Sequence, residues 1–379
     1  MPELVAIDLP GGPDFVTALQ RAWDAGHAVL PVDQRLSPQA RESLLDVLAP
    51  SRVVGGGDGP TGSRRPGGRP VEPGDALVMA TSGTTGVPKG VVLTHAAVEA
   101  SARATSARLG VDPARHRWLA CLPLNHIGGL SVVTRSLCSS TPLTVLPGYD
   151  AETVRLHSGP DVLVSLVATA LLRTPASLFH TVVLGGSAPP SELPANVVTT
   201  YGLTETGSGV VYDGLPLEGV ELTLDGRTGE ILLRGPMLLR AYRDGTVPVG
   251  ADGWFRTGDV GSLGPDGRLS VAGRLGDMII SGGENIWPGP VEEAIRTHPG
   301  VADVAVAGRP DPEWGQRVVA WVVPSDPDRP PALSELRDLV GEHLARFAAP
   351  RQLVLTDSLP RTSIGKIRRD ALPAPRGEA

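Results

Sequence analysis

The sequence predicts an α/β protein. A large N-terminal region of mostly parallel sheets flanked by helices is followed by a barrel-like β piece and then by a small α+β domain. Three observations carry this. Short apolar runs alternate with helical-period segments up to about residue 200. GVELTLDGRTGEILLRGP (219–236) then alternates along its length and holds DG and TG turns, which read as antiparallel strands. After Gly273 the texture changes again to helix, strand, strand, helix, strand.

The elements follow in order. DFVTALQRAWDAGH (14–27) spaces its apolar residues as a helix does and ends at Gly26; AVLPV is a short strand. SPQARESLLDVLAP is a second helix, with Ser37 as N-cap and Pro38 in the first helical position. Residues 55–74 are rich in Gly, Pro and Arg and have little to bury, so they read as a loop. ALVMA and VVLT are strands, 95–109 is a helix, and WLACLPL is a buried strand before a helix over 129–138. PLTVLP, DVLVSLV and TVVLGG are further strands. Beyond the joint, PVEEAIRTHPGV and ALSELRDLVGEHLARF are helices, and VADVAVAG, RVVAWVV and RQLVL are strands. The expected domains are 1–274 and 275–379, joined inside GRLGDM.

Composition excludes several classes. The chain has 379 residues, 41% of them hydrophobic, enough for a sizeable core; Gly 47 and Pro 37 mark it as loop-rich. A net charge of −7 argues against a nucleic-acid-coating surface. No apolar run approaches the ~20 residues of a membrane span, and the N-terminus does not read as a signal peptide. A cytoplasmic protein is expected. Cys121 and Cys138 sit in apolar surroundings and read as buried free thiols rather than as a disulfide or a nucleophile.

One stretch calls for chemistry: MATSGTTGVPKGVVLTH (79–95). Glycines let backbone N–H groups converge, Thr and Ser add hydroxyls, and Lys89 adds charge, a set suited to polyphosphate. The nucleotide P-loop pattern counted from Gly83 would need Gly at 88 and Ser or Thr at 90, where the chain has Pro88 and Gly90. The stretch also runs into a strand instead of a helix. A phosphate loop of another kind is expected between Thr81 and Gly90, with a plain structural turn as the alternative. Four more segments stand out: YGLTETGSG (201–209), RTGDVG (256–261), GRLGDMIISGGENIWPGPVE (273–292) and PRTSIGKIRRD (360–370). Taken singly, Asp259 could serve an Asx-turn and Lys366 could be merely solvated.

Together and in this order, these segments resemble the AMP-forming acyl- and aryl-CoA synthetases of the adenylate-forming superfamily. The likeness spans about 75 to 370. It implies two steps: a carboxylate attacks the α-phosphate of Mg-ATP to give an acyl-adenylate and pyrophosphate, and the thiolate of CoA then displaces AMP. It also implies roles. Thr81, Ser82, Gly83, Thr84, Thr85, Gly86 and Lys89 would cradle the β- and γ-phosphates. Thr204 would touch the α-phosphate, and Glu205 would hold Mg²⁺. Tyr201, followed by Gly202, would pack on adenine, whose edge Gly185, Gly186, Ser187 and Ala188 would line. Asp259, helped by Arg274, would accept the ribose hydroxyls, and Lys366 would bridge the acid and the α-phosphate. The small domain would be mobile. It would turn about Gly276 after adenylation and bring Ser281, Gly282, Gly283 and Glu284 to the CoA tunnel.

For the acid, CLPLNHIGGLSVVTRSL (121–137) resembles the L-P-x-x-H-x-x-G-L segment of o-succinylbenzoate–CoA ligases of menaquinone biosynthesis. The chain looks like their compact actinobacterial form, which lacks the opening segment common in the family. His126 would stand at the mouth between the acid pocket and the CoA channel, as a catalytic and substrate-facing group. Gly128, Gly129 and Leu130 would shape the ring pocket, unless helix packing explains them. Succinylbenzoate keeps a second carboxylate on its ring, and Arg135 is its candidate partner, against a surface or helix-capping arginine. The rival readings are a ligase for another aryl or fatty acid, an enzyme loading a carrier protein, and an idle nucleotide-binding protein. The partners expected are the acid, ATP and CoA; the oligomeric state is left open, a homodimer included.

Overall fold

The structure is a computed structural model. It describes residues 1–55, 62–82 (for Ser82 the backbone alone), 88–190, 192–361 and 367–375. The chain divides into two compact units: Met1–Leu222 with Leu233–Arg256, and Thr223–Leu232 with Thr257–Ala379.

Among the described residues the first unit holds two seven-stranded sheets. The first runs Ala241–Tyr242, Pro88–Thr94, Asp75–Ser82, Ala28–Pro31, Leu4–Asp8, Arg52–Gly55, Ser63–Arg64. Its middle is parallel: Leu4–Asp8 pairs in parallel on both sides, and Ala28–Pro31 pairs in parallel with Asp75–Ser82. Both ends turn antiparallel. The sequence reading passed over the strand Leu4–Asp8. Its run LVAI has no alternation, because both faces are covered and all four residues are buried. Around it pack Leu30, Leu44, Leu45, Leu48, Val78 and Val92. The second sheet runs Leu215–Pro216, Ser208–Tyr212, Val197–Leu203, Phe179–Leu184, Gly159–Leu166, Arg117–Ala120, Leu143–Val145, parallel except for the first two strands.

Local chemistry sets the helix ends. Ser37 Oγ accepts from Ala40 N at 3.2 Å and opens the helix Pro38–Leu48; Thr94 Oγ1 accepts from Ala97 N at 3.2 Å and opens His95–Arg108. The span 55–74, expected as a loop, is partly ordered into the sheet edge. Ser63–Arg64 pairs antiparallel with Arg52–Val53, and Arg65 bonds Glu42 at 2.6 Å and Asp46 at 2.5 Å. Arg65 finds carboxylates on the neighbouring helix and Arg64 finds Glu3, partners which composition cannot reveal. The rest of its glycine run, 56–61, lies outside the described residues.

A four-stranded sheet, Glu221–Leu224, Glu230–Arg234, Phe255–Leu263, Leu269–Arg274, forms the β piece expected after the parallel region. In the second unit a further sheet runs Glu284–Ile286, Ile279–Ser281, Gly315–Pro324, Val301–Asp311, and Gln352–Leu355 pairs in parallel with Gly315–Pro324. One apolar cluster, with Val291, Ile295, Val304, Val306, Val318, Leu336 and Val340, covers one side. The alternate residues of the same strands, Ala305, Ala307, Val319 and Trp321, pack with Leu359 and Leu372.

Candidate active site

The phosphate stretch is a β-hairpin. Pairing between Asp75–Ser82 and Pro88–Thr94 continues through Thr81↔Lys89 and Ser82↔Pro88. The loop read as Thr81 to Gly90 is therefore shorter, because the backbone groups of 81 and 89 satisfy each other across the ladder. Gly83, Thr84, Thr85 and Gly86, at the hairpin connection, lie outside the described residues, as does the Ser82 side chain. Gly90 has a packing reason: a Cβ there would stand 2.8 Å from Arg243 Cβ and 2.9 Å from Leu48 Cδ2 and Val78 Cγ1. Lys89 Nζ lies 5.2 Å from the centre of the Tyr242 ring.

Glu205 sits in the single 3₁₀ turn Thr204–Thr206 after the strand Val197–Leu203. The turn is held from within, since Thr206 is fully buried and its Oγ1 accepts from Leu203 N at 2.9 Å. Tyr242 OH donates to Glu205 Oε1 at 3.0 Å, and Leu239 N donates to the Glu205 carbonyl at 2.8 Å. Tyr201 is half-buried on the preceding strand, opposite Val211. A Cβ on Gly202 would lie 2.2 Å from Ser208 O, so the backbone approach alone demands glycine there. Gly185 is crowded by a side chain instead, with Thr200 Oγ1 2.6 Å from a Cβ there, and Gly186 has φ +88. Ser187 and Ala188 follow on the surface.

His126 precedes the helix Ile127–Ser139, which starts two residues before the expected 129. Arg35 Nη2 lies 3.4 Å from His126 Nε2, and Arg35 clasps Asp33 through Nε at 2.8 Å and Nη2 at 2.9 Å. A guanidinium only donates, so in this contact Nε2 would act as the acceptor. Burial pushes the Asp33 carboxyl up, but hydrogen bonds from Arg35 and its charge outweigh this and hold it below the ordinary aspartate value. Sequence reading missed Asp33 and Arg35. The signal was a charged pair, DQR, directly after a buried strand.

Packing accounts for two of the pocket candidates. A Cβ on Gly129 would meet Pro123 O at 2.4 Å, and Leu130 is fully buried, while Gly128 has open space. Arg135 is neither a surface nor a capping residue: it is 2% exposed. Its Nη2 donates to Ser208 Oγ and, at 3.4 Å, to Tyr212 OH, and its guanidinium stands 5.5 Å from the Trp118 ring centre. Ser208 Oγ lies 3.3 Å from Ser131 Oγ, and Tyr212 OH lies 3.2 Å from Thr105 Oγ1. Every partner here is neutral, and Arg135 Nε and Nη1 have no hydrogen-bond partner among the described residues. A buried cation without a counter-charge costs several kcal/mol, on the order of the penalty for one desolvated ion.

In the second unit Asp259 lies in the strand Phe255–Leu263, which removes the Asx-turn reading. It is 8% exposed, faces Arg274 across the ladder and bonds Arg274 Nε through Oδ1 at 2.8 Å. Ser281 is buried at the end of its strand. Gly282 and Gly283, at φ +61 and +85, form the two-residue turn into the strand that begins at the exposed Glu284. Gly276 lies in the 3₁₀ turn Leu275–Asp277, where a Cβ would meet nothing within 4 Å. Lys366 lies outside the described residues. Around it Arg361 bridges Ile367, and Arg369 binds Glu292 Oε1 at 2.5 Å and Asp277 Oδ2 at 3.4 Å.

Cys121 is buried and Cys138 exposed, which corrects the expectation that both are buried; the helix carrying Cys138 turns it outward near its end. Burial pushes the Cys121 thiol up to about 12, so it is no nucleophile. Among the described residues no three His, Cys, Asp or Glu side chains cluster as a metal cage, and no helix is long and apolar enough to cross a membrane.

Known proteins share this pattern. The family model described as AMP-binding enzyme matches residues 57–243, and the AMP-binding enzyme C-terminal domain matches 290–366. A probable 2-succinylbenzoate–CoA ligase of Mycobacterium tuberculosis is 42% identical over 374 residues, spanning 88% of this chain and 96% of its own. The 2-succinylbenzoate–CoA ligase of Listeria monocytogenes is 36% identical, spanning 78% of this chain and 69% of its own. Among solved structures, the o-succinylbenzoate CoA synthetase MenE of Bacillus subtilis, in complex with the acyl-adenylate intermediate OSB-AMP, superposes with a TM-score of 0.85 at 28% identity. It covers 99% of this chain and 88% of that one. A hairpin carrying Thr81 and Lys89, a carboxylate on a turn after Tyr201, an Asp259–Arg274 pair and these likenesses agree: the chain belongs to the AMP-binding enzyme family.

Proposed function

We propose that this protein joins o-succinylbenzoate to CoA at the expense of ATP. In the first step an oxygen of the aliphatic carboxylate attacks the α-phosphorus, and the bond to pyrophosphate breaks. In the second the CoA thiolate attacks the acyl carbon, and AMP leaves with the bonding electrons. The observation that carries the choice of acid is Arg135, a buried guanidinium among neutral hydroxyls with two of its three nitrogens, Nε and Nη1, unused. A ring carboxylate supplies the missing charge and acceptors, which a simple aryl or fatty acid does not. The names of the relatives at 42% and 36% identity support the same substrate.

The nucleotide roles are part of the proposal. Thr81 and Lys89 face the outer phosphates, Thr204 the α-phosphate, and Tyr201 with Gly185, Gly186, Ser187, Ala188 and Gly202 the base. Asp259 and Arg274 take the ribose. Lys366 takes the charge that grows at the α-phosphate, and His126 stands at the entry of the acid. The turn Ser281–Glu284 serves CoA. Glu205 fits Mg²⁺, which binds through one or two carboxylates plus substrate phosphates instead of a protein cage. When bound, the ion draws charge off the phosphates; Glu205 holds it, and Tyr242 orients Glu205. MenE of Bacillus subtilis was solved with ATP and a magnesium ion.

The experiment is product analysis with ATP and CoA over an acid panel. AMP, pyrophosphate and a thioester should form in equal amounts with o-succinylbenzoate and far more slowly with benzoate or medium-chain acids. Preferred turnover of a monocarboxylate would reject the substrate.

A further inference from the structure

Lys89, on a strand of the first sheet, and Glu205, on the turn after a strand of the second, carry opposite charges, yet their proposed tasks need them apart. The lysine has to meet phosphate and the carboxylate a metal ion. A direct ion pair would spend both.

One side chain stands between them. Tyr242 offers its ring face to Lys89 Nζ at 5.2 Å and its hydroxyl to Glu205 Oε1 at 3.0 Å. Its own strand, at the edge of the first sheet, is anchored through its ladder and its flanking residues. Ala241 and Tyr242 pair with Val92 and Val91, Arg240 N donates to Val92 O at 2.9 Å, and Arg243 N donates to Gly90 O at 2.7 Å. Arg240 forks onto the buried Asp75 at 2.8 and 2.9 Å, and Arg243 donates to the carbonyls of Leu48 and Pro70 at 3.1 and 2.7 Å. Leu239 N holds the Glu205 carbonyl itself. A chain segment anchored this firmly, next to the phosphate hairpin on one side and the Glu205 turn on the other, places the tyrosine with little freedom.

We propose that Tyr242 is a positioning residue for Mg-ATP: its ring steers the Lys89 ammonium toward the phosphates, and its hydroxyl aims the Glu205 carboxylate at the metal. This rests on reading Glu205 as the Mg²⁺ carboxylate and deepens that reading.

The test is calorimetry of ATP binding with and without Mg²⁺, and of AMP binding, with neither acid nor CoA present. Tyr242→Phe keeps the ring and loses the hydroxyl. Its gain in ATP affinity on adding Mg²⁺ should fall about tenfold, while metal-free ATP and AMP bind as in the wild type. Tyr242→Leu loses both contacts, so its metal-free ATP affinity should also drop about two- to fivefold, again with AMP unchanged. An undiminished Mg²⁺ gain in Tyr242→Phe overturns the proposal. So does an equal loss of AMP and ATP affinity in both variants, which would mark a merely structural tyrosine. If wild-type ATP affinity does not respond to Mg²⁺ at all, the assignment of Glu205 falls, and the proposal with it.

Discussion

Arg35 makes two contacts: it clasps Asp33, just after the strand Ala28–Pro31, and leans on His126. Its effect on Asp33 gives a pH prediction. The folded carboxyl titrates below its unfolded counterpart. The pair's contribution is therefore present above the ordinary aspartate range and is lost as pH falls through the lowered folded value. Urea midpoints of Asp33→Asn measured from pH 7 down to pH 3 should converge on those of the wild type; a gap that stays constant over that range would show that the ion pair adds nothing pH-dependent. Residues like Arg35 are hard to find in a sequence. A charge after a strand is usually solvated, and its partner 91 positions away becomes visible only in the fold. Arg135 was legible as a candidate because succinylbenzoate demands a second cation, but its burial was not. Nothing in helical spacing forces an arginine inward.

At the level of elements, glycines separate packing from chemistry. Gly128 and Gly129 are adjacent on the first turn of one helix, and a Cβ meets open space at the first and two backbone carbonyls at the second. Gly129→Ala should cost about 1–3 kcal/mol by overpacking. Gly128→Ala should leave stability level or raise it by about 0.5–1 kcal/mol, as for glycine removed from a helix. Denaturant melts of the two variants check this, and equal losses would mean that the helix start is fixed by something other than the Pro123 carbonyl. In Gly128→Ala, a raised KM for the acid at unchanged stability would mark pocket lining. The hairpin Asp75–Ser82/Pro88–Thr94 teaches the complementary lesson. Its glycine- and threonine-rich sequence resembles a loop because the same residues serve convergent N–H groups and tight turns, and only pairing partners decide where a strand ends.

On the scale of the whole molecule, the alternation of strands and helices and the change of texture after residue 202 were readable, because periodicity and turn chemistry are local. The strand Leu4–Asp8 was not, because a short continuous apolar run carries no period. The motifs spelled out the chemistry before any fold was known, while the anchoring of Tyr242 by Arg240 and Arg243 depends on contacts far along the chain. The family resemblance implies that the small domain presents Lys366 for adenylation and the Ser281–Glu284 turn for thioester formation, with Gly276 as the proposed hinge. Gly276 needs neither a positive φ nor empty space in this structure, so an alanine should be tolerated locally. Gly276→Pro, which restricts φ and the preceding residue, should slow thioester formation from a supplied acyl-adenylate by about tenfold, about 1.4 kcal/mol of barrier, and adenylation less. Gly276→Ala is the control. Equal loss in both half-reactions would remove Gly276 from the hinge.

The proposed choice of acid rests on the buried Arg135 as the partner of a second carboxylate. The most direct measurement compares kcat/KM for o-succinylbenzoate with that for the same acid lacking its ring carboxylate, in the wild type and in Arg135→Met. The wild type should prefer the dicarboxylate by about a hundredfold, and Arg135→Met should erase most of that preference while binding AMP as before. A preference that survives the substitution, or a wild type that turns over both acids alike, would contradict it.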